Sequence, residues 1–361
     1  MVHDYIKEFG GAERVLMTLH EMFPDAPIYT AFVTPGSTAE REFEKAGAKI
    51  IPSWANGLIN HHNLYSPLRF LAPLIWESFD FSQFDLVILS ASWFITKPMR
   101  VPKNVRVICY CHTPPRYLYG LRTAIDWQKY WPVKIYGYFI NHFLRLYDFL
   151  GAKRVDQFIS NSKNVAGRIK KFYRKESIVI YPPVDVTASA TYKKENFYLV
   201  ATRISSEKGV PMAMEAVNKL GGKLKVVGEF AGLRWEEYKI KEQESENVEF
   251  LGRVSDEELK KLYAKAKAFI VLEPDVDFGM TPVEAMAVGT PVIAYKSGGY
   301  LESVVDGKTG VFFEDYNVAS LIAAILKFEK MKFKKEDCVK QAQKFSKENF
   351  VKKIKEVVYA Q

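Results

Sequence analysis

The chain has 361 residues, of which 48% are hydrophobic and 26% charged, and it is long enough for two globular domains of about 150–200 residues each. No stretch reaches the roughly 18 uninterrupted apolar residues of a membrane span, and the first residues, MVHDYIKEFGGAERV, carry acids where a signal peptide would be apolar. The net charge is +9, but no nucleic-acid recognition module accompanies it, so nucleic acid is not an expected partner. Three cysteines, two of them in the apolar run VRVICYC, predict buried thiols in a reducing cytoplasm rather than disulfides or a metal site.

In the first half of the chain, short β-rich runs alternate with longer amphipathic ones. The residues Val2–Asp4 resemble the end of a first strand. Because a central parallel strand usually needs about five residues, this strand is expected to be unusually short or to lack residues that precede residue 1. Helices are predicted at GAERVLMTLHEMF and NVAGRIKKFY, and further strands at PIYTAFV, AKII, DLVILS, VRVICYC, DQFIS and SIVIY.

The second half repeats the alternation after the stretch YPPVDVTASATYKKEN, where consecutive prolines and polar residues predict a hinge. Its predicted strands are NFYLVAT, KLKVVG, VEFLG, AFIVL, PVIAY and GVFF. Nearly continuous apolar strands that alternate with helices predict parallel sheets covered on both faces. The sequence therefore predicts an α/β protein of two Rossmann-like, doubly wound domains that face each other across a cleft. We expect an N-terminal domain over residues 1–187, a C-terminal domain over 188–340, and a C-terminal helix within 341–361 that packs back on the N-terminal domain.

Most of the positive charge lies in residues 97–174, which carry 16 Lys and Arg against three acids and leave the rest of the chain at −4. Within this region, residues 117–149 contain eleven aromatics. Basic side chains beside aromatic rings are favoured where lipid headgroups meet water, so an anionic membrane surface is one predicted partner. The alternative is a solvated helix pair whose aromatic residues pack on their own domain.

Two glycine- or cation-containing loops are candidate phosphate sites. Gly10 and Gly11 lie between the first strand and the helix after it, where paired glycines let the backbone approach a ligand and a helix N-terminus favours an anion. Arg203 and Lys208 directly follow the strand NFYLVAT, and such a pair suits a diphosphate because Arg offers a planar fork and Lys a mobile charge. Each feature also has a purely structural explanation: an ordinary strand-to-helix turn, or two solvated cations of which one pairs with Glu207.

The run EPDVDFGMTPVEAMAVGTPV, residues 273–292, contains four acids and a helix start. Thr281 is predicted as the N-cap and Glu284 as the third helical residue, which together would form a capping box. The alternative is functional, because a turn through Phe278 and Gly279 into a helix N-terminus would present amides to a phosphate.

These motifs together resemble the family-4 glycosyltransferases, also called glycosyl transferases group 1, of the GT-B fold. In the second half the resemblance rests on TRISSEKG, VVGE, VEFLGRVSDEELKKLYAKAKAFI, FGMTPVEAMAVGTPVIA and GGYLESVVDGKTG. In the first half, GGAERVL, CYCHTPPRYLY, FISNSKNVAGRIKKFY and YPPVDV are similar to bacterial mannosyltransferases of polysaccharide and lipid-linked oligosaccharide assembly.

The resemblance implies that the second domain binds a nucleotide sugar and the first binds the acceptor. Arg203 and Lys208 would hold the donor diphosphate and stabilise the leaving group, and Glu284 would bind the ribose hydroxyls. His112, at the end of VRVICYC, would contact the donor sugar, with Arg116, Tyr117 and Asp277 as further contacts to the acceptor or sugar. The remaining donor-binding positions would be Gly10, Gly11, Gly228, Gly252, Arg253, Val254, Phe278, Gly279, Met280 and Thr281.

One position departs from the family pattern. The family usually places a glutamate eight residues before the second acid of this motif, and here that position is Val276, flanked by Asp275 and Asp277. A lost hydrogen bond from a charged group costs about 1.5–3 kcal/mol, so the enzyme is expected to be slow, to use a donor without that contact, or to have lost turnover.

The resemblance implies a retaining, metal-independent glycosyltransferase without a cofactor. We expect it to move a sugar, in the first instance mannose from GDP-mannose, to a lipid-linked or saccharide acceptor. Its expected location is cytoplasmic and peripheral on the inner face of the cell membrane. A nucleotide-sugar-binding protein with weak or lost turnover, a UDP-glucose or UDP-GlcNAc transferase and a sugar-nucleotide epimerase remain alternatives.

Overall fold

The chain folds into two compact units in the computed structural model. The first contains Met1–Pro183 and Phe350–Gln361, and the second contains Val184–Asn349. The structure describes residues 1–60, 64–98, 100–123, 131–186, 192–230, 237–238, 240, 242 and 245–360.

The first unit contains a seven-stranded sheet in the order β3-β2-β1-β4-β5-β6-β7, and all the paired strands are parallel. Strand β1 has only two residues, which is compatible with both alternatives stated for the first strand. The strands are β1 (Val2–His3), β2 (Ile28–Thr30), β3 (Ile50–Pro52), β4 (Leu86–Ala91), β5 (Arg106–Cys111), β6 (Gln157–Ser160) and β7 (Ser177–Val179).

Helices connect these strands and cover the sheet. The α-helices of this part of the chain are α1 (Gly11–Met22), α2 (Thr38–Lys45), α3 (Asn56–Asn60), α4 (Ala72–Trp76), α5 (Trp131–Arg154) and α6 (Lys163–Tyr173), with a 3-10 helix at Pro67–Leu71. Successive strand residues pack on opposite faces: Cys109 and Cys111 of β5 belong to one apolar core, whereas Ile108 and Tyr110 belong to the other. All three cysteines are buried, as predicted, but Cys338 lies on the helix Lys335–Ala342 and not on a strand.

The second unit contains a six-stranded parallel sheet in the order β10-β9-β8-β11-β12-β13. Its strands are β8 (Tyr198–Ala201), β9 (Leu224–Val227), β10 (Val248–Gly252), β11 (Ala268–Val271), β12 (Val292–Tyr295) and β13 (Gly310–Phe313). Its α-helices are α7 (Val210–Lys219), Asp256–Lys265, Met280–Ala287, Tyr300–Ser303, Val318–Glu329 and Lys335–Ala342. The last α-helix of the chain, Lys347–Tyr359, begins in this unit. Two 3-10 helices lie at Ser206–Lys208 and Gln343–Phe345.

Both strand orders reverse direction once, at β1/β4 in the first sheet and at β8/β11 in the second. This confirms the prediction of two doubly wound α/β sheets, and all twelve strand runs predicted from the sequence form strands. In such sheets, ligands bind beyond the carboxyl ends of the strands at the reversal point.

No helix among the described residues combines the length and apolar character needed to cross a bilayer.

The structure divides the chain at positions that differ from the predicted boundaries. Residues 341–349 belong to the second unit, because Gln341 Nε2 donates a hydrogen bond to the Ser303 carbonyl and the Phe345 ring lies 5.3 Å from that of Phe278. The end of the chain, Phe350–Gln361, belongs to the first unit, where the Phe350 ring lies 5.7 Å from that of Tyr110. The Arg106 guanidinium also donates to carbonyls in the last turn of the final helix, where a cation is favoured by the helix dipole.

Candidate functional site

The two candidate phosphate-binding cations of the second unit lie at the reversal point of its sheet. Arg203 follows β8 and its side chain is exposed, while Lys208 lies at the end of the short 3-10 helix after it. The ammonium nitrogen of Lys208 lies 2.5 Å from Oε1 of Glu273, which follows the neighbouring strand β11. Lys208 therefore pairs with Glu273. The predicted alternative, an ion pair between Glu207 and one of the two cations, is not observed for Lys208.

Two further predicted donor-binding segments, Gly228 and residues 252–254, lie at the same edge of the sheet as Arg203. Gly228, after β9, has φ of 138°, and a Cβ atom there would lie 1.9 Å from the carbonyl oxygen of Thr202. Its amide donates a 2.9 Å hydrogen bond to the carbonyl of Gly252, at the end of β10. Only glycine permits this approach, so the ends of β8, β9 and β10 form one continuous edge. Arg253 and Val254 continue from that edge, Arg253 as an exposed side chain and Val254 as a half-buried one.

The loop that contains Val276 rests on a pair of glycines after β12. A Cβ at Gly298 would lie 2.3 Å from the Val276 carbonyl oxygen, and one at Gly299 would lie 2.3 Å from Cα of Phe278. The Gly299 amide donates to the Val276 carbonyl at 2.9 Å. Val276 itself is buried, with 8% of its surface exposed, whereas Asp277 beside it is half-buried. The residue that replaces the expected glutamate thus packs in the protein interior.

The predicted capping box at Thr281 is wrong. The helix begins at Met280, and its N-cap is Gly279, with φ of 80° and ψ of 92°. Because glycine tolerates this positive φ, the chain enters the helix before Thr281, which becomes an internal residue of the first turn. The carboxylate of Glu284 accepts a 3.2 Å hydrogen bond from the hydroxyl of Tyr263, on the helix Asp256–Lys265.

His112 lies directly beyond β5 of the first unit, and it is buried. Its amide donates to the Ala91 carbonyl at 2.9 Å, and the Asn161 side chain donates to its carbonyl at 2.9 Å. Burial, with a second contribution from His3, lowers the pKa of His112 from 6.5 to about 3, so the ring is neutral near pH 7. A neutral imidazole carries a proton on one nitrogen only and can accept or donate one hydrogen bond to a ligand.

The glycine loop of the first unit lies at the start of α1. Gly10 is the N-cap of this helix, and its amide donates a 3.0 Å hydrogen bond to Oε2 of Glu13. Gly11 is exposed. The other carboxylate oxygen of Glu13 lies 3.5 Å from Nε2 of His3, so a buried acid connects the loop to the end of β1.

The predicted acceptor contacts lie in the segment after His112. The Arg116 guanidinium donates to the Arg122 carbonyl at 2.9 Å. Tyr117 is 7% exposed, and its ring lies 5.2 Å from that of Trp93 and 4.9 Å from the guanidinium carbon of Arg69. Two of the eleven aromatics counted in residues 117–149, Trp127 and Tyr130, lie outside the described residues.

Among the described residues, no group of three His, Cys, Asp or Glu side chains could hold a metal ion. The expectation of metal-independent chemistry remains a prediction, since a nucleotide donor can carry its own divalent ion.

Sequence reasoning missed four residues that the structure places beside the candidate side chains: Glu273, which pairs with Lys208, and His3, Glu13 and Ser90, which connect to His112. Each lies at the end of a strand or in the first turn of a helix next to a reversal point. That position is a usable signal, but the pairing partners come from elsewhere in the chain and only the fold brings them together.

Solved structures define the fold class. HepE of Anabaena in complex with UDP-glucose matches with a TM-score of 0.70 over 99% of this chain and 98% of that one, at 16% identity. Sucrose-phosphate synthase from Thermosynechococcus elongatus matches with a TM-score of 0.72 over 99% and 98% of the two chains, at 15% identity. Two parallel sheets with the strand orders described above therefore form a GT-B fold.

Family models match both halves of the chain. The model described as Glycosyltransferase Family 4 matches residues 9–188, and the model described as Glycosyl transferases group 1 matches residues 185–345. The chain belongs to the family-4 glycosyltransferases of the GT-B fold, and the family named from the sequence is confirmed.

Two curated relatives illustrate the range of the family. An uncharacterized glycosyltransferase of Methanocaldococcus jannaschii is 29% identical over 47% of this chain and 49% of its own length. The α-1,3/1,6-mannosyltransferase ALG2 of Dictyostelium discoideum is 26% identical over 66% of each chain. The match therefore spans 49% of the first relative's length and 66% of the second's. For this reason the residue roles below are argued from this chain.

Proposed function

We propose that this chain is a retaining, metal-independent mannosyltransferase that uses GDP-mannose and delivers the sugar to a lipid-linked or saccharide acceptor. The observation that carries the glycosyltransferase part is the edge of the second sheet, where Arg203, Lys208 and Glu284 lie at the loops and helix of the reversal point. The choice of mannose is supported by the similarity to ALG2 mannosyltransferases, which for the mouse protein extends over 84% of this chain at 26% identity.

The proposed chemistry uses charge rather than a carboxylate dyad. Departure of the nucleoside diphosphate places negative charge on its phosphates, and the cations Arg203 and Lys208 would stabilise that charge in the transition state. Glu284 would accept hydrogen bonds from the ribose, and the first-turn amides of the helix Met280–Ala287 would face the phosphate. The half-buried carboxylate of Glu284 already accepts from Tyr263, so its orientation is set before a ligand arrives.

Thermal-shift measurements with GDP and UDP test the donor class. Ligand binding to the folded state raises stability by RT ln(1 + [L]/Kd), so we expect a larger shift with GDP than with UDP at equal concentration. A larger shift with UDP would instead favour the UDP-sugar alternative, to which the UDP-glucose complex of HepE lends support. Release of nucleoside diphosphate from a panel of donors, with and without EDTA, then tests turnover and metal independence; loss of activity in EDTA would contradict the latter.

A second candidate function follows from Val276. Because this residue is buried where the family places a glutamate, the chain could bind a nucleotide sugar with weak or lost turnover. If wild type and Val276→Glu both bind GDP but release no nucleoside diphosphate from any donor with any acceptor, the transferase proposal fails and the binding function remains. Faster turnover by Val276→Glu than by wild type would identify Val276 as the cause of slow catalysis.

The proposed location on a membrane is supported by α5. One face of this helix is fixed to its unit by a buried ion pair in which Lys97 Nζ lies 2.7 Å from Asp148 Oδ1. Burial opposes the charge on Lys97, but the Asp148 carboxylate outweighs this effect and raises the pKa of the ammonium. The hydroxyls of Tyr119 and Tyr173 donate to the other oxygen of Asp148 at 2.7 and 2.8 Å. The helix is therefore anchored through polar side chains.

The outward face of α5 is apolar and basic. Its exposed charged side chains are Lys134, Arg145 and Lys153, and the only acid of the helix, Asp148, is buried. A contiguous apolar surface with cationic flanks is typical of a helix that lies at an anionic lipid surface. The exposed apolar side chains of α5 are Trp131, Ile135, Tyr138, Phe139, Phe143, Leu146 and Leu150.

Co-sedimentation with vesicles tests this location. We expect salt-sensitive binding to vesicles that contain phosphatidylglycerol and weak binding to pure phosphatidylcholine. The double variant Phe139→Gln/Phe143→Gln should bind at least about tenfold more weakly, since burial of each ring is worth about 1.5–3 kcal/mol. The matched control Leu301→Gln/Leu326→Gln changes two exposed apolar residues of the second unit and should bind like wild type. Equal loss in both double variants, or no sedimentation at low salt, would refute the location.

A further inference from the structure

Four buried polar side chains of the first unit form a continuous line from the start of α1 to the end of β5. Glu13 Oε1 lies 3.5 Å from His3 Nε2, His3 Nδ1 lies 3.0 Å from Ser90 Oγ, and Ser90 Oγ lies 2.9 Å from His112 Nε2. None of the four is more than 9% exposed. They come from α1, β1, β4 and the residue after β5, and so they bridge the reversal point of the first sheet.

The number of protons in this line restricts its hydrogen bonds. A serine hydroxyl has one proton, so Ser90 can donate to His3 or to His112, but not to both. A buried polar group without a partner costs about 1–3 kcal/mol. The imidazole that does not accept the serine proton must therefore donate its own proton to the serine oxygen. The two histidines are coupled through Ser90: when Ser90 donates to His3, His112 must donate to Ser90.

Glu13 decides the direction. Its Oε2 accepts the Gly10 amide, and its Oε1 is a carboxylate oxygen that can only accept. When the His3 ring carries a single proton, that proton is therefore on Nε2. His3 Nδ1 then accepts from Ser90, and Ser90 accepts from Nε2–H of His112. The remaining nitrogen of His112, Nδ1, keeps its lone pair, because the hydrogen bond of this ring to Ser90 is made through Nε2.

We propose that Glu13, His3 and Ser90 are positioning residues that fix the tautomer of His112 and make its Nδ1 a hydrogen-bond acceptor for a substrate hydroxyl. The catalytic meaning of this assignment rests on the proposed function, but the tautomer does not. Since Glu13 also holds the Gly10 amide, the same carboxylate sets the geometry of the glycine loop and the proton position on His112.

Glu13→Gln is the most direct test, because it should reverse the direction of each hydrogen bond between residue 13 and His112. The Gly10 amide must still be accepted, so the glutamine presents its carbonyl oxygen to Gly10 and its NH2 group to His3 Nε2. His3 then carries its proton on Nδ1 and donates to Ser90, and Ser90 donates to His112 Nε2. The proton of His112 moves to Nδ1, although Glu13 does not touch His112.

The experiment measures ¹⁵N chemical shifts of the histidine rings at about pH 8.5, above the ordinary titration range of histidine. Signals of His112 among the six histidines are assigned with His112→Gln. In wild type we expect the proton on Nε2, and in Glu13→Gln on Nδ1. In a Ser90→Ala background Glu13→Gln should leave the His112 tautomer unchanged, because the connection is cut. Ser160→Ala, a buried serine of the neighbouring strand β6 that bonds to Ser177, is the control and should retain the wild-type response.

An unchanged His112 tautomer in Glu13→Gln, or an equal change with and without Ser90, would overturn the proposal. Kinetics test the catalytic part separately: Glu13→Gln should lower kcat by about tenfold or more, one lost hydrogen bond, with the donor KM nearly unchanged. A reversed tautomer with unchanged kcat would overturn the positioning role. If wild type transfers no sugar at all while the tautomer reverses as expected, the proposed function fails and the hydrogen-bonded line stands.

Discussion

The ammonium nitrogen of Lys208 lies 2.5 Å from a carboxylate oxygen of Glu273, across the reversal point of the second sheet. The two side chains follow neighbouring strands, and they are 14% and 28% exposed. A diphosphate that binds Lys208 must therefore displace or share a carboxylate that already holds it. If the donor diphosphate binds Lys208 as proposed, Glu273 competes with it for the ammonium group.

Glu273→Gln should strengthen nucleotide binding. The substitution removes a negative charge beside the phosphate site and leaves a neutral side chain of the same size, so we expect GDP to bind about three- to tenfold more tightly. Isothermal titration calorimetry measures this difference. Weaker binding would mean that Glu273 orients Lys208 for the ligand instead of competing with it.

Lys208→Ala should have the opposite effect. Loss of a charge-assisted hydrogen bond to the diphosphate is worth about 1.5–3 kcal/mol, which corresponds to roughly one to two orders of magnitude in Kd. Lys219→Ala is a matched control, because Lys219 lies on α7 of the same unit and forms a solvent-exposed pair with Glu215. Unchanged affinity in Lys208→Ala would remove this lysine from the site.

Val276→Glu should destabilise the second unit. A carboxylate would replace the side chain of a residue that is only 8% exposed, so we expect the free energy of unfolding to fall by about 1–3 kcal/mol. Val305→Glu is the control, since Val305 is 37% exposed and should tolerate the charge. Urea denaturation compares the two, and equal stability of both variants would show that the loop over Gly298 and Gly299 accommodates a carboxylate.

His112 should make the protein less stable in acid. Its folded-state pKa of about 3 lies below the ordinary 6.5. At pH values between these two, the unfolded chain binds a proton at this residue and the folded protein does not. The stability that this residue contributes is complete above about pH 6.5 and declines as the pH falls towards 3, by up to about 1.4 kcal/mol for each unit.

Urea denaturation of His112→Gln should therefore show a smaller loss of stability between about pH 6.5 and 5 than wild type. His142→Gln, which changes an exposed histidine of α5, should follow the wild-type curve. Identical slopes for wild type and His112→Gln would contradict a buried, neutral His112.

The strands were predictable because their signal is local. Runs such as VRVICYC and AFIVL are apolar on both faces, which only a sheet covered on both sides can accommodate, and they form β5 and β11. The start of the helix at Met280 was not predictable, because the threonine, proline and glutamate pattern is equally consistent with a helix that begins one or two residues later. The start of the helix is set by the backbone conformation of Gly279 and by the close tertiary contacts around this glycine.

The ion-pair and hydrogen-bond partners of the candidate residues could not be predicted from the sequence either. Lys208 and Glu207 are neighbours in the chain, yet the lysine pairs with Glu273, because parallel strands bring distant loops to the same edge of a sheet. The same holds for Glu13, His3, Ser90 and His112, which meet only after four elements are arranged side by side.

The sequence by itself determined the family, the doubly wound α/β architecture and the position of the candidate residues at strand ends, since these depend on local periodicity and short motifs. Only the tertiary structure decided that Val276 is buried, that Lys208 is held by Glu273, and that His112 is neutral and connected to Glu13. The physical reason is that burial and hydrogen-bond partners depend on which strands become neighbours, and in a parallel sheet those neighbours lie far apart in the chain.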